Sequence, residues 1–132
     1  MIKLETYLVK IIKEALNQAF PEIPDNDAMA IGLEIPKEKK FGDFSISIAM
    51  KLSKEIRKPP MEIAAGIIKH IDKSDLISDV KVEKPGFINF YVSNKAVIDS
   101  LKDIINEADS FGKSLLGKGK KAQIEFVSAN PT

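Results

Sequence analysis

The sequence predicts an α+β domain, with helices packed on one face of a small antiparallel or mixed sheet. Three observations carry that expectation. Leu4, Leu8, Ile11, Ile12, Ala15, Leu16 and Ala19 recur at helical spacing. Two strand-like stretches, Ile77 to Glu83 and Phe87 to Val92, flank a Pro85-Gly86 turn. After Asn94, helical periodicity returns in Val97, Ile98, Leu101, Ile104 and Ile105.

The elements follow in order. The first helix stops at Pro21, just after Phe20, because proline cannot continue it. Asp25-Asn26-Asp27 punctuates the chain, and Ala28 to Ile35 then reads as a short strand ending at Pro36. Between Asp43 and Ile56 two periods compete. Phe44, Ile46 and Ile48 alternate like a strand, whereas Ile48, Ala49, Leu52 and Ile56 repeat like a helix. With Asp43 available as N-cap, a helix is expected throughout. Pro59 ends it and Pro60 opens the next, which carries Ile63, Ala64, Ile67, Ile68 and Ile71. The hairpin turn Lys84-Pro85-Gly86-Phe87 predicts type II, with Gly86 taking the positive φ. Asn94 is the expected cap of the fourth helix. Gly112, Gly117 and Gly119, mixed with lysines, predict a flexible linker up to Lys121.

Composition narrows the function classes. At 132 residues the chain can bury one core, and 44% apolar with 30% charged residues is ordinary for a globular protein. No run approaches the roughly 18 apolar residues of a membrane span, and Met1 to Glu5 lacks a signal-peptide layout. No cysteine is present, which fits a cytoplasmic protein. His70 is the single histidine, so a histidine-based metal cluster or catalytic triad within the chain is excluded. The net charge is +1, and every cation except Arg57 is lysine, suited to phosphate and solvent more than to bidentate base reading.

The second hairpin strand holds the main candidate site. Its alternation puts Ile88, Phe90 and Val92 in an apolar row and Phe87, Asn89 and Tyr91 in the opposite one. Aromatic faces stack unpaired bases, and an amide between them offers a donor and an acceptor to a base edge. Lys81 and Lys84, near the turn, are placed to neutralise phosphates. The bland alternative is a packed aromatic pair with a surface amide, the commoner fate of such rows. Phe41-Gly42-Asp43-Phe44 reads as a glycine turn with a capping aspartate and two anchoring phenylalanines, not as a catalytic element. Lys37/Lys39/Lys40 and Lys118/Lys120/Lys121 read as solvated loops, and His70 as a surface or boundary residue.

Four segments together resemble arginyl-tRNA synthetases: Phe41-Gly42-Asp43-Phe44, Pro60-Met61-Glu62-Ile63-Ala64, Pro85-Gly86-Phe87-Ile88-Asn89-Phe90, and the terminal Glu125-Phe126-Val127-Ser128-Ala129-Asn130-Pro131-Thr132. They follow the family's order, while residues 1–40 are similar only in layout. The resemblance implies a fragment ending just before a Gly-Pro-Leu-His-x-Gly-His loop that binds ATP. It implies an N-terminal tRNA-recognising domain over residues 1–111, a linker over 112–121, and the first strand of a catalytic domain over 122–132. Phe87 and Asn89 match the family positions that contact a D-loop base of the tRNA for arginine, with Tyr91 and Lys84 beside them. Ser128, Ala129 and Asn130 match positions that hold L-arginine in the intact enzyme.

The expected function is therefore part of a cytoplasmic arginine–tRNA ligase, using ATP and Mg²⁺ when intact. The fragment itself is expected to bind neither, to be non-catalytic, and to contact tRNA but neither DNA nor membrane. A free-standing RNA-binding or ribosome-associated module would use the same sheet face, and a plain interaction domain would not bind RNA at all.

Overall fold

The computed structural model describes residues 3–23, 30–110 and 112–124. Helix α1 spans Lys3–Ala19, with Leu8, Ile12, Ala15 and Leu16 fully buried, so the stripe expected from the sequence is its core face. Strand β1 spans Phe44–Ile46 and helix α2 Ile48–Ile56. Helix α3 spans Pro60–Lys69, and strands β2 and β3 span Ile77–Glu83 and Phe87–Val92. Helix α4, Asn94–Glu107, follows directly.

The sheet order is β1-β3-β2, antiparallel throughout, with β3 central. Ile88 and Phe90 of β3 are fully buried against the helices. Helix α3 lies on the sheet, and α1 and α2 pack on α3. This is the α+β arrangement that the periodicities indicated, with the apolar row of β3 at its centre.

Several local expectations give way to tertiary pairing. The stretch from Asp43 to Ile56 is not one helix: both periods are real and occur in succession, a three-residue strand and then a helix. The strand prevails at Phe44–Ile46 because the free edge of β3 pairs with it, Phe44 opposite Phe90 and Ile46 opposite Ile88. Asp43 is accordingly no helix cap. Its N–H donates to the Phe90 carbonyl at 2.8 Å, and its carboxylate accepts the Val92 N–H at 2.8 Å. Among residues 30–35, the expected strand reduces to one bridge, in which Glu34 and Ser45 exchange backbone hydrogen bonds of 2.9 and 2.8 Å. Pro36, with no N–H, cannot extend that ladder.

The hairpin turn also differs. The Lys84–Pro85 peptide is cis, and the Gly86 N–H donates to the Glu83 carbonyl at 3.0 Å. The turn is thus centred on Lys84-Pro85, with cis-proline in its third position, and Gly86 does not have positive φ. Glycine is required there for closeness instead: a Cβ would stand 2.6 Å from Pro60 Cβ. At Gly42 the requirement is twofold, since φ is 90° and a Cβ would lie 2.7 Å from the Phe90 carbonyl oxygen. Ser93, one residue before the expected Asn94, caps α4 by accepting the Ala96 N–H at 3.2 Å. Helix α4 buries only Ala96; Val97, Ile98, Leu101, Ile104 and Ile105 of its apolar stripe are exposed.

Candidate nucleic-acid interface

The face of β3 opposite the core forms the floor of a cleft of about 260 Å³. Ser45 of β1 and Asn89 of β3 sit directly across from each other, and Phe87 lies further along β3, paired with Glu83 of β2. The segment Glu34 to Lys37 and the side chain of Phe41 close the other side, and Lys84 stands at the turn. Alternation along β3 explains why Phe87 and Asn89 share this face while Ile88 between them enters the core.

The segment over the cleft is tethered at both ends. The Glu34–Ser45 bridge holds one end, and the Tyr91 hydroxyl donates to the Lys40 carbonyl at the other. A 3₁₀ turn over Lys39–Phe41 leads into Gly42, with the Lys40 ammonium 4.9 Å from the Phe41 ring centroid.

Asn89 is only 3% exposed, and its Oδ1 accepts a 2.8 Å hydrogen bond from the Ser45 hydroxyl. Among the described residues, no protein acceptor is placed on its amide nitrogen. Asn89 borders the cleft, so its amide nitrogen is the polar atom that a ligand acceptor arriving there meets. Phe87 is half-buried and presents an aromatic face, while Ile35, 78% exposed, supplies apolar surface at the rim. Lys37 and Lys84 add two positive charges, Glu34 and Glu83 two negative ones. The cleft itself is therefore not a phosphate pocket. It suits a flat, neutral ring with polar edges, with phosphates reached from the rim.

Three of the four expected recognition residues, Phe87, Asn89 and Lys84, meet at this cleft. Tyr91 shares their strand face but does not line it; its hydroxyl is committed to Lys40 and its ring stacks under the Lys81 ammonium at 5.2 Å. Lys81 also lies 3.8 Å from the Asp79 carboxylate, and both side chains are exposed. Ser45 and Glu34 were not singled out from the sequence, and Phe41 was read there only as an anchor beside the Gly42 turn. The alternation of Phe44, Ser45 and Ile46 was the available signal, but only strand pairing puts Ser45 opposite Asn89. Ser128, Ala129 and Asn130 lie outside the described residues. No group of three or more metal-ligating side chains occurs among the described residues, and no helix there is long and apolar enough to cross a membrane.

Comparison with known proteins places this geometry. The family model described as "Arginyl tRNA synthetase N terminal domain" matches residues 6–92. An arginine–tRNA ligase of Listeria welshimeri is 44% identical over 126 residues, covering 95% of this chain and 22% of the relative. One from Prosthecochloris aestuarii is 40% identical over 130 residues, covering 98% of this chain and 23% of the relative. The crystal structure of arginyl-tRNA synthetase from Plasmodium falciparum superposes with a TM-score of 0.64 at 21% identity, over 79% of this chain and 18% of that one. The Thermus thermophilus enzyme gives a TM-score of 0.52 at 24% identity, over 68% of this chain and 15% of that one, which supports the shared fold. The chain thus spans between a fifth and a quarter of the length of the curated relatives it matches. With the family model spanning the first helix to the end of β3, and such relatives matching nearly the whole length, the chain belongs to the arginyl-tRNA synthetase N-terminal domain family.

Proposed function

We propose that this domain recognises the elbow of the tRNA for arginine by taking one unpaired D-loop base into the cleft. Phe87 stacks on the base, the Asn89 amide nitrogen donates to its edge, and Lys84 and Lys37 neutralise neighbouring phosphates. The observation that carries this reading is Asn89: a nearly buried amide whose nitrogen has no protein acceptor among the described residues, beside an aromatic face, on the floor of an open cleft. Glu34 and Glu83 at the same cleft accept from a base amino group and repel a phosphate, so a base is favoured as the occupant. The cleft volume, about 260 Å³, is slightly below that of typical small-ligand pockets and matches one ring system better than a whole nucleotide.

On this reading residues 1–111 form the recognition unit and 112–121 a linker toward the catalytic part of a cytoplasmic ligase. That ligase uses ATP and Mg²⁺ to activate L-arginine and esterify the tRNA. Ser128, Ala129 and Asn130 would orient the arginine there. Arginine activation belongs to the remainder of the ligase, and this domain contributes tRNA selection.

The test is steady-state aminoacylation by the full-length ligase. Asn89→Ala and Phe87→Ala should each lower kcat/KM for tRNA by about 1–3 kcal/mol of binding. The constants for arginine and ATP should hardly move, because the cleft lies outside the chemical step. Unchanged tRNA kinetics in both variants, at unchanged fold stability, would reduce the Phe87/Asn89 face to packing.

A further inference from the structure

We propose that Ser45 is a positioning residue that sets which way the Asn89 amide faces, and thereby which base the cleft prefers; this rests on the base-recognition reading above. An asparagine amide is nearly symmetric in shape but not in hydrogen bonding, since one end donates and the other accepts. Unless something fixes it, the amide can turn over and present its oxygen to the cleft instead, accepting where it previously donated. A recognition residue that can do both discriminates poorly.

Three features fix it. The Ser45 hydroxyl donates to Asn89 Oδ1 at 2.8 Å, which holds the oxygen against β1. Ser45 and Asn89 are paired residues of neighbouring strands, and both are almost buried, at 8% and 3% exposure. Water therefore competes weakly for that hydrogen bond. Ser45 is itself held by two backbone hydrogen bonds to Glu34, at 2.8 and 2.9 Å, so its Cα sits on a strand bonded on both sides. With Oδ1 occupied, the nitrogen is the polar atom left for a ligand, and its partner must be an acceptor. Glu34 and Glu83 also line the cleft, and carboxylates there favour amino groups on the base.

The pair therefore reads a base presenting a ring nitrogen or carbonyl acceptor to Asn89, with exocyclic amino groups directed toward the carboxylates. Removing the Ser45 hydroxyl frees the amide to turn. The expected consequence is a loss of discrimination between bases more than a loss of binding to the preferred one.

The experiment uses the full-length ligase with tRNA transcripts in which each unpaired D-loop position carries each of the four bases in turn. The native enzyme should prefer one base at one position by on the order of tenfold in kcat/KM. Ser45→Ala should flatten that preference to within about threefold, chiefly by improving the disfavoured bases, as expected when an added orientation supplies the missing partner. Ser45→Thr, which keeps the hydroxyl, should retain the preference. Thermal unfolding of each variant reports folding, and the threonine variant serves if the alanine one does not fold, since it must then discriminate like the native enzyme. Asn89→Ala should also lose the preference. Full base preference in folded Ser45→Ala, or lost preference in Ser45→Thr, overturns the positioning role while leaving base recognition intact. No preference at any D-loop position in the native enzyme, or preference unchanged in Asn89→Ala, overturns the recognition reading itself.

Discussion

The carboxylate of Asp43 accepts the backbone N–H of Val92 at 2.8 Å, extending the β1–β3 ladder past the last paired strand residue with a side chain. Phe90, two residues earlier on β3, is bonded through its carbonyl to the Asp43 N–H. Asp43 therefore closes one end of the sheet with both its backbone and its side chain. The segment over the cleft, which runs from Glu34 to Gly42, ends at this clamp.

Asp43→Ala should destabilise the domain by roughly 1 kcal/mol, less than a buried charged hydrogen bond because the pair is exposed. Asp43→Asn, which keeps an acceptor oxygen, should recover most of that. Urea unfolding followed by circular dichroism measures both, and equal losses in the two variants would show that the carboxylate charge, not the hydrogen bond, matters.

Gly42→Ala should cost roughly 2 kcal/mol or more. The added Cβ meets a backbone oxygen 2.7 Å away, and φ of 90° is strained for any side chain. Gly86→Ala tests a different constraint, a 2.6 Å approach to Pro60 Cβ and 3.2 Å to Met50 Cγ without positive φ. Its cost should be about 1–3 kcal/mol, as for overpacking, and should fall when combined with Met50→Ala only as far as the Pro60 contact permits. The midpoint of chemical denaturation is the readout.

Ile88→Ala and Lys84→Ala should separate fold from recognition. Ile88 is fully buried, so its truncation should lower stability by about 2–5 kcal/mol without altering base preference. Lys84 is exposed at the cleft, so its loss should leave stability unchanged and lower the salt dependence of tRNA binding by about one charge. An unchanged salt slope would mean that Lys84 reaches no phosphate.

Leu101→Gln on α4 should be nearly neutral for the isolated 132-residue chain, within about 0.5 kcal/mol, because Leu101 is 53% exposed. A loss of more than 1.5 kcal/mol in thermal unfolding would show that the helix buries this face in solution.

Side-chain periodicity alone was enough to place α1, α3 and the β2–β3 hairpin, because each buries an apolar row that recurs at its own local period. The Phe87/Asn89 row was legible for the same reason: alternation on a strand is a local property. Pairing between distant segments decided the rest. Phe44–Ile46 became a strand because β3, over forty residues later, had a free edge for it, and the same pairing made Asp43 a clamp and set Ser45 against Asn89. The conformation of the Lys84-Pro85 turn and the close approach of Gly86 to Pro60 and Met50 are likewise features that the neighbouring residues do not signal. Tyr91 does not line the cleft for the same kind of reason: its hydroxyl meets the Lys40 carbonyl, fifty-one residues away in sequence. Local periodicity records which face of an element is apolar, whereas a buried hydrogen-bonding group takes whatever partner folding brings to it.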